Sequence, residues 1–133
     1  MSLETRIPIV RSEDIVTARQ LGRTLAMNAG FDGSDLTLIA TAISEVTRNI
    51  IEHARRGELV LAPVNNGNKR GILIVARDEG PGIADLARAM QYGYSSRNGL
   101  GVGLPGARWL MDEFDIDSKV GKGTTVTMKK WLV

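Results

Sequence analysis

The sequence predicts an α+β protein, a two-layer sandwich in which helices pack on a mixed, mostly antiparallel sheet. Two long helical patterns follow one short strand, and two later pairs of strand patterns are each joined by a loop rich in Asn or Gly. The regular alternation of strand and helix that a doubly wound parallel sheet requires is absent from the sequence. With 133 residues the chain has the usual size of one domain, and we expect a single domain over 1–133.

The amino-terminal part predicts one strand and two helices. Apolar residues alternate over Thr5–Val10, and Ser12, followed by two acids, is a start signal for a helix that Gly30 ends. Ser34 and Asp35 predict the cap of a second helix. The second helix has the most regular apolar stripe in the sequence, at Ile39, Ile43, Val46, Ile50 and Ala54.

The remaining sequence predicts two hairpins with two short helices between them. The first hairpin consists of Glu58–Val64 and Gly71–Ala76 around an Asn/Gly loop. A helix over Ile83–Met90, a loop over Tyr92–Gly103 and a helix over Pro105–Phe114 are expected next. The second hairpin consists of Ile116–Ser118 and Thr124–Trp131 around Gly121–Gly123.

The composition argues against several classes of function. The chain has 17 Lys and Arg against 15 Asp and Glu, a net charge of +2, whereas recognition of a nucleic-acid backbone needs a concentrated basic face. It has no Cys and one His, which excludes disulfides, thiolate metal sites and His clusters. No apolar run approaches the roughly 20 residues that cross a bilayer, and the amino terminus lacks a signal-peptide core. We expect a cytoplasmic protein that binds neither nucleic acid nor membrane.

Two glycine clusters, Asp78–Gly82 and Gly99–Gly106, indicate a loop built around a bound ligand, because glycine lets the backbone approach a ligand closely. The only Gly-Lys pair, Gly121–Lys122, continues with another glycine and lacks the hydroxyl of a P-loop. The second cluster contains a Gly-x-Gly-x-x-Gly run. A polar loop precedes that run and no acid follows it at the dinucleotide-binding distance. The clusters therefore match neither common phosphate loop.

Glu45 and Asn49 lie four residues apart, so they share one face of the second predicted helix, beside its apolar stripe. A carboxylate and a carboxamide at this spacing can serve as a general base and as an oxygen ligand for Mg²⁺. Taken alone, the pair is more simply interpreted as two solvated residues at an exposed helix edge.

Four motifs support the functional interpretation, because their order resembles the N, G1, G2 and G3 boxes of the GHKL superfamily of ATPases and kinases. They are Glu45-x-x-x-Asn49-x-x-x-His53, Asp78-x-Gly80-x-Gly82, Gly99-x-Gly101-x-Gly103 and Gly121-x-Gly123-Thr124. Within the superfamily the chain resembles the small serine kinases of the anti-sigma-factor group, and especially the switch kinases of stressosomes. That second resemblance rests on Asp14–Arg23, Thr41–Glu45, Gly103–Gly106 and Leu110–Phe114. It implies the Bergerat ATP-binding fold, with ATP and Mg²⁺ as cofactors.

The resemblance implies a role for each matching residue. Glu45 would be the base that orients or deprotonates the attacking hydroxyl, and Asn49 the Mg²⁺ ligand. Asp78 would accept a hydrogen bond from the adenine amino group; the structural alternative is an aspartate that caps a turn. Gly80 and Gly82 would let the backbone lie against the adenine ring, where a Cβ would crowd it.

The resemblance also implies a phosphate lid. Its residues would be Gly99, Leu100, Gly101, Val102 and Gly103, and the following helix would point free N–H groups at the phosphates.

Four further residues are assigned less sharply. Arg97 either touches the γ-phosphate as a charge stabiliser or is a solvated loop arginine. His53 completes the N box near the phosphates and is not a good phosphoacceptor candidate. Thr124 and Thr125 either reach the adenine side by hydroxyl or water, or are ordinary strand residues.

The implied function is transfer of the γ-phosphoryl group of Mg-ATP to a serine or threonine of a STAS-domain antagonist or scaffold, which sequesters the kinase until stress. The freed kinase would then activate a downstream effector, in the family usually a PP2C-type phosphatase. Positioning and charge neutralisation are most of what phosphoryl transfer needs. Two alternatives remain: an anti-sigma factor with kinase activity, and an ATP-gated interaction switch that turns nothing over.

Overall fold

A computed structural model describes residues 4–83, 90 and 103–132, which form three helices and one five-stranded sheet. In chain order these elements are β1 (Thr5–Ile9), α1 (Glu13–Ala29), α2 (Gly33–His53), β2 (Gly57–Asn66), β3 (Lys69–Asp78), α3 (Gly103–Leu110), β4 (Glu113–Lys119) and β5 (Gly123–Trp131). The first strand, both long helices and both hairpins occur where the sequence predicts them. None of the helices in these ranges is long and apolar enough to cross a membrane.

The sheet has the strand order β1-β2-β3-β5-β4, and each of the four pairings among the described strands is antiparallel, whereas the sequence predicted a mixed, mostly antiparallel sheet. The central strand β3 ends where its neighbours β2 and β5 begin, so these three strand termini lie together at one end of the sheet. Asp78, its last residue, lies opposite Gly57 of β2 and Thr124 of β5. Gly57 follows closely after α2, so this end of the sheet also lies beside the end of α2.

The core lies between the helices and one face of the sheet, which confirms the predicted two-layer α+β sandwich. The stripe of α2 is buried as the helical period requires, because its side chains face the sheet. The fully buried large apolar side chains come from α2 and from the inward-facing positions of four strands: Ile9, Ile39, Ile43, Val46, Ile50, Leu59, Leu61, Ile72, Ile74 and Met128. Side chains alternate between the two faces of each strand, so this single layer of helices covers one face.

Several predicted boundaries are wrong: the four hairpin strands are each longer than predicted, and two helices begin or end elsewhere. The helix predicted over Pro105–Phe114 spans Gly103–Leu110, and Phe114 instead belongs to β4, opposite Met128. Apolar residues alternate with acids over Phe114–Asp117, and this two-residue period is that of a strand. The helix α2 begins at Gly33, one residue before the predicted cap. The helix predicted over 83–90 and most of the loop predicted over 92–103 lie outside the described residues.

Candidate active site

The helix α2 carries the Glu45/Asn49 pair into the interior. Only 6% of Glu45 is exposed, and Asn49, one turn later, is half-buried. The simpler interpretation of two solvated residues at a helix edge is therefore wrong for Glu45. The covering element is α3, which packs against α2. Within the part of the chain that the structure describes, the Asn49 side chain makes no hydrogen bond.

Both oxygens of the Glu45 carboxylate accept hydrogen bonds. The backbone N–H of Gly103 donates to Oε1 at 2.9 Å, and Nη1 of Arg48 donates to Oε2 at 2.8 Å. Gly103 is the first residue of α3, where N–H groups lack intrahelical partners and the helix dipole favours negative charge. The predicted base is thus bound at the helix end that was expected to face phosphates. The interpretation of the sequence missed Arg48, although the spacing Glu-x-x-Arg on a helix was a usable signal.

Asp78 lies at the end of β3 with 9% of its surface exposed. Its Oδ1 accepts the N–H of Gly80 at 2.9 Å and the N–H of Thr124 at 3.3 Å. Within the described ranges Oδ2 has no hydrogen-bond partner. One oxygen therefore caps the turn, as the structural alternative supposes, while the other is a nearly buried acceptor that needs a donor. An exocyclic amino group such as that of adenine fits this acceptor.

The glycines after Asp78 are required by close contacts within the protein. A Cβ at Gly80 would lie 2.5 Å from the Cβ of Ala54, at the end of α2. Gly82 has a φ of 77°, and a Cβ there would collide with the carbonyl oxygen of Lys119. Contacts within the protein therefore already exclude a side chain at these two positions, whether or not an adenine ring lies beside them. The loop is pressed between the end of α2 and the β4–β5 turn, which holds it beside Asp78.

The two candidate threonines lie on opposite faces of the sheet. Thr124 pairs with Asp78 and is 5% exposed, whereas Thr125 pairs with Arg77, whose side chain is exposed. The hydroxyl of Thr124 lies 2.8 Å from the hydroxyl of Ser118, which accepts the N–H of Ile83 at 2.8 Å. Ser118 therefore binds Ile83 to β4. The sequence offered no signal for Ser118, because its partners come from separate elements.

The remaining predicted site residues divide into two groups. His53 is exposed in the last turn of α2. Gly103 is described and binds Glu45, as above. Five residues of the predicted lid region lie outside the described residues: Arg97, Gly99, Leu100, Gly101 and Val102.

The described groups form a line along α2. Gly103 meets this helix at Glu45, and Gly80 meets it at Ala54. These two points are about 14 Å apart at roughly 1.5 Å of rise per residue. Asp78 and the start of α3 therefore lie beside two different points of α2, about 14 Å apart along its axis.

Comparison with known proteins agrees with this geometry. Residues 10–130 match the family model described as a histidine kinase-like ATPase domain. The chain is 45% identical over 132 residues to the serine/threonine-protein kinase RsbT of Bacillus subtilis (strain 168), and the match covers 99% of both chains. It is 35% identical over 100 residues to the anti-sigma F factor of Thermoanaerobacter sp. (strain X514), which covers 71% of this chain and 68% of that relative.

One solved structure also matches over most of the chain. The crystal structure of the RsbU and RsbW domains of Rv1364c from Mycobacterium tuberculosis has a TM-score of 0.63 and 24% sequence identity. The match covers 96% of this chain and 32% of that one, and at this identity it shows the fold alone. Together the comparisons confirm the resemblance inferred from the four motifs. They also confirm the predicted enzyme class, a protein serine/threonine kinase.

Proposed function

This chain belongs to the family of histidine kinase-like ATPase domains, and we propose from that premise that it phosphorylates a STAS-domain protein on serine or threonine in a partner-switching pathway. The observation that carries the proposal is the Glu45 carboxylate, buried and bound at the first residue of α3. A base in that position lies beside the helix end at which phosphates bind. The similarity to RsbT over nearly the whole chain supports the choice of reaction.

ATP is the nucleotide that the family implies, and Asp78 is the residue we assign to its base. The free Oδ2 would accept a hydrogen bond from the adenine amino group, while Oδ1 stays with Gly80 and Thr124. A guanine presents a carbonyl oxygen at the corresponding position, and its lone pairs would face the carboxylate. We therefore expect a preference for ATP over GTP.

Asn49 is the residue we assign to Mg²⁺. The half-buried amide fits a metal that prefers oxygen donors and keeps several of its waters. When bound, Mg²⁺ supplies neutralisation of the charge on the phosphates. Phosphate oxygens and waters would supply the other ligands.

Glu45 is assigned as the general base. The substrate hydroxyl oxygen would attack the γ-phosphorus, the bond from that phosphorus to the ADP oxygen would break, and the hydroxyl proton would pass to the carboxylate. The N–H groups at the start of α3 would hold phosphate oxygens.

Five residues stay in the proposal on the resemblance alone. They are Arg97 as a γ-phosphate contact and Gly99, Leu100, Gly101 and Val102 as the lid. His53 and Thr125 are weaker members of the site, because one is exposed at the end of α2 and the other faces away from Asp78.

The partners belong to the proposal as well. We place the protein in the cytoplasm, with a STAS-domain antagonist or scaffold as substrate and a PP2C-type phosphatase as the effector that the released kinase activates. The similarity to an anti-sigma F factor favours one alternative, a kinase that also holds a sigma subunit. Co-purification separates them: a stable complex with sigma, and none with a STAS scaffold, would replace the first proposal by the second.

The kinase assignment is tested by incubating the protein with a STAS-domain partner and γ-labelled Mg-ATP. We expect label on serine or threonine, and a loss of about 10²–10⁴-fold in rate for Glu45→Gln, the usual contribution of a general base. Glu13→Gln is the matched control, because Glu13 is exposed in the first turn of α1. Absence of label with ATP still bound would favour the ATP-gated switch, and full activity of Glu45→Gln would remove the base from the mechanism.

A further inference from the structure

We propose that Arg48 is the positioning residue of the general base, and that it holds Glu45 Oε2 in place while nucleotide exchanges the partner of Oε1. The inference rests on the proposed function, because it assigns separate tasks to the two oxygens of the proposed base. It starts from an asymmetry in the contacts of Glu45. One oxygen is held by a side chain of the same helix, and the other by a backbone N–H of another helix.

The hydrogen bond to Oε1 is one that a ligand can replace. Its donor, the N–H of Gly103, is one of the groups at the start of α3 that have no partner within the helix. Phosphate oxygens bind to such groups. A bound polyphosphate therefore competes with the carboxylate for this N–H. When a phosphate oxygen accepts that hydrogen bond, Oε1 keeps a free lone pair that points toward the phosphate. That oxygen is then the acceptor for the hydroxyl proton.

The other oxygen, Oε2, is bound by Nη1 of Arg48. Losing the Gly103 contact would leave a carboxylate that is 6% exposed beside a phosphate of the same charge. Within the described ranges Arg48 is the one cation at ion-pair distance from Glu45, at 2.8 Å and with about a third of its own side chain exposed. A guanidinium keeps its charge at any pH at which proteins fold. Arg48 thus supplies both the countercharge and the fixed point that keep the carboxylate in position during the exchange.

The competing explanation is that Arg48 and Glu45 form an ordinary pair three residues apart on a helix, which contributes only to helix stability. The two explanations differ in what Arg48→Met does when Glu45 is already Gln. A residue that acts through the base has nothing left to position in that background, so the effects of the two substitutions on rate are not additive.

The test combines a catalytic and a non-catalytic measurement on the full chain. The variants are Arg48→Met, Arg48→Lys, Glu45→Gln and the Arg48→Met/Glu45→Gln double variant, with Arg19→Met on the exposed face of α1 as the matched control. In the labelling reaction, Arg48→Met should lower kcat about tenfold or more and leave KM for ATP within about twofold. Arg48→Lys should recover part of the loss, and Arg48→Met should add nothing to Glu45→Gln.

The non-catalytic measurement is hydrogen exchange at the Gly103 amide, followed by NMR in nucleotide-free protein. We expect this amide to exchange at least about tenfold faster in Arg48→Met than in wild type or Arg19→Met, because the carboxylate that binds it is no longer held. Unchanged exchange, unchanged kcat, or rate losses that multiply in the double variant would each overturn the inference. If wild type labels no partner, the proposed function fails by itself, and exchange at Gly103 still decides whether Arg48 holds Glu45.

Discussion

At the scale of single residues, two buried carboxylates join parts of the chain that are distant in sequence. Glu45 binds the backbone of a residue 58 positions away, and Asp78 binds one 46 positions away. Each tie uses one oxygen for a backbone N–H of another element. Substituting either residue therefore affects folding as well as the proposed reaction. A variant used as a test should keep the hydrogen bonds from these backbone N–H groups where possible.

Asp78→Asn meets that requirement. The asparagine oxygen can still accept the N–H groups of Gly80 and Thr124, while the new NH₂ group faces the adenine amino group as a second donor. We expect ATP affinity to fall about tenfold to a hundredfold, measured by calorimetry, because a donor then faces a donor. Asp117→Asn on the edge strand β4 is the control. Equal affinity in wild type and Asp78→Asn would exclude the adenine role.

Asp14 binds the backbone that leads into α1. The predicted start of α1 at Ser12, with acids in the first turn, is confirmed, although Ser12 makes no side-chain cap hydrogen bond. Instead Oδ2 of Asp14 accepts the N–H groups of Val10 at 2.8 Å and Arg11 at 3.0 Å. These two hydrogen bonds stabilise the charged form, so they hold the pKa of Asp14 below its ordinary value, most strongly through the bond from Val10.

A pH dependence follows for Asp14. A carboxyl with a lowered pKa in the folded state adds stability above its unfolded pKa of about 3.9, and loses it as the pH falls through the folded value. Wild type should therefore melt above Asp14→Asn at pH 7, and the gap should close below about pH 4. Thermal melts at both pH values measure it, with Glu13→Gln as control. An undiminished difference in Tm at about pH 3, which is below the ordinary pKa of an aspartate, would contradict the assignment.

At the scale of elements, α3 is held at both ends by charged side chains. Glu45 accepts the N–H of its first residue, and Nζ of Lys130 donates to the carbonyl oxygen of Leu110, its last residue, at 3.1 Å. A negative group at the start and a positive group at the end both match the helix dipole. This short helix is therefore oriented by α2 on one side and β5 on the other, which fixes where its free N–H groups point.

Lys130→Met tests the second of these anchors. It keeps most of the side-chain volume and leaves the carbonyl of Leu110 without its donor, so we expect a loss of about 1–3 kcal/mol in the free energy of unfolding. Urea denaturation measures the loss, and Lys129→Met, one residue away on the more exposed face of β5, is the control. If both variants unfold at the same urea concentration as wild type, Lys130 does not anchor α3.

At the scale of the whole molecule, the described residues share one core and one continuous sheet, so we predict that residues 1–133 unfold in a single cooperative transition. A ligand that binds only the folded state raises that transition. Mg-ATP at a hundred times its dissociation constant should add about 2.7 kcal/mol, or roughly 10 °C in Tm for a domain of this size. Scanning calorimetry with and without Mg-ATP measures both statements. Two separated transitions would show that the chain unfolds as two units and not as one domain. An unchanged Tm in the presence of Mg-ATP would argue against nucleotide binding.

Much of the fold followed from local patterns. The stripe of α2, the two hairpins and the spacing of Glu45 and Asn49 are set by residues within one or two turns of each other, and those patterns survive folding. The end of α3 was the clearest failure. Leu110–Phe114 fits a helical period in isolation, and pairing with β5 draws Phe114 into a strand.

The sequence by itself determined which residue types stand in which order: the acid and amide of α2, the acid before the first glycine cluster, and the glycines after it. Only the tertiary structure decided that Glu45 is buried, with Arg48 and Gly103 as its donors. It also decided that Thr124 and not Thr125 lies beside Asp78, and that Ser118 binds Ile83. The reason is that these contacts join segments far apart in the chain. They depend on how α3 packs on α2 and on the register of β3 with β5, where a shift of one residue would reverse every side chain.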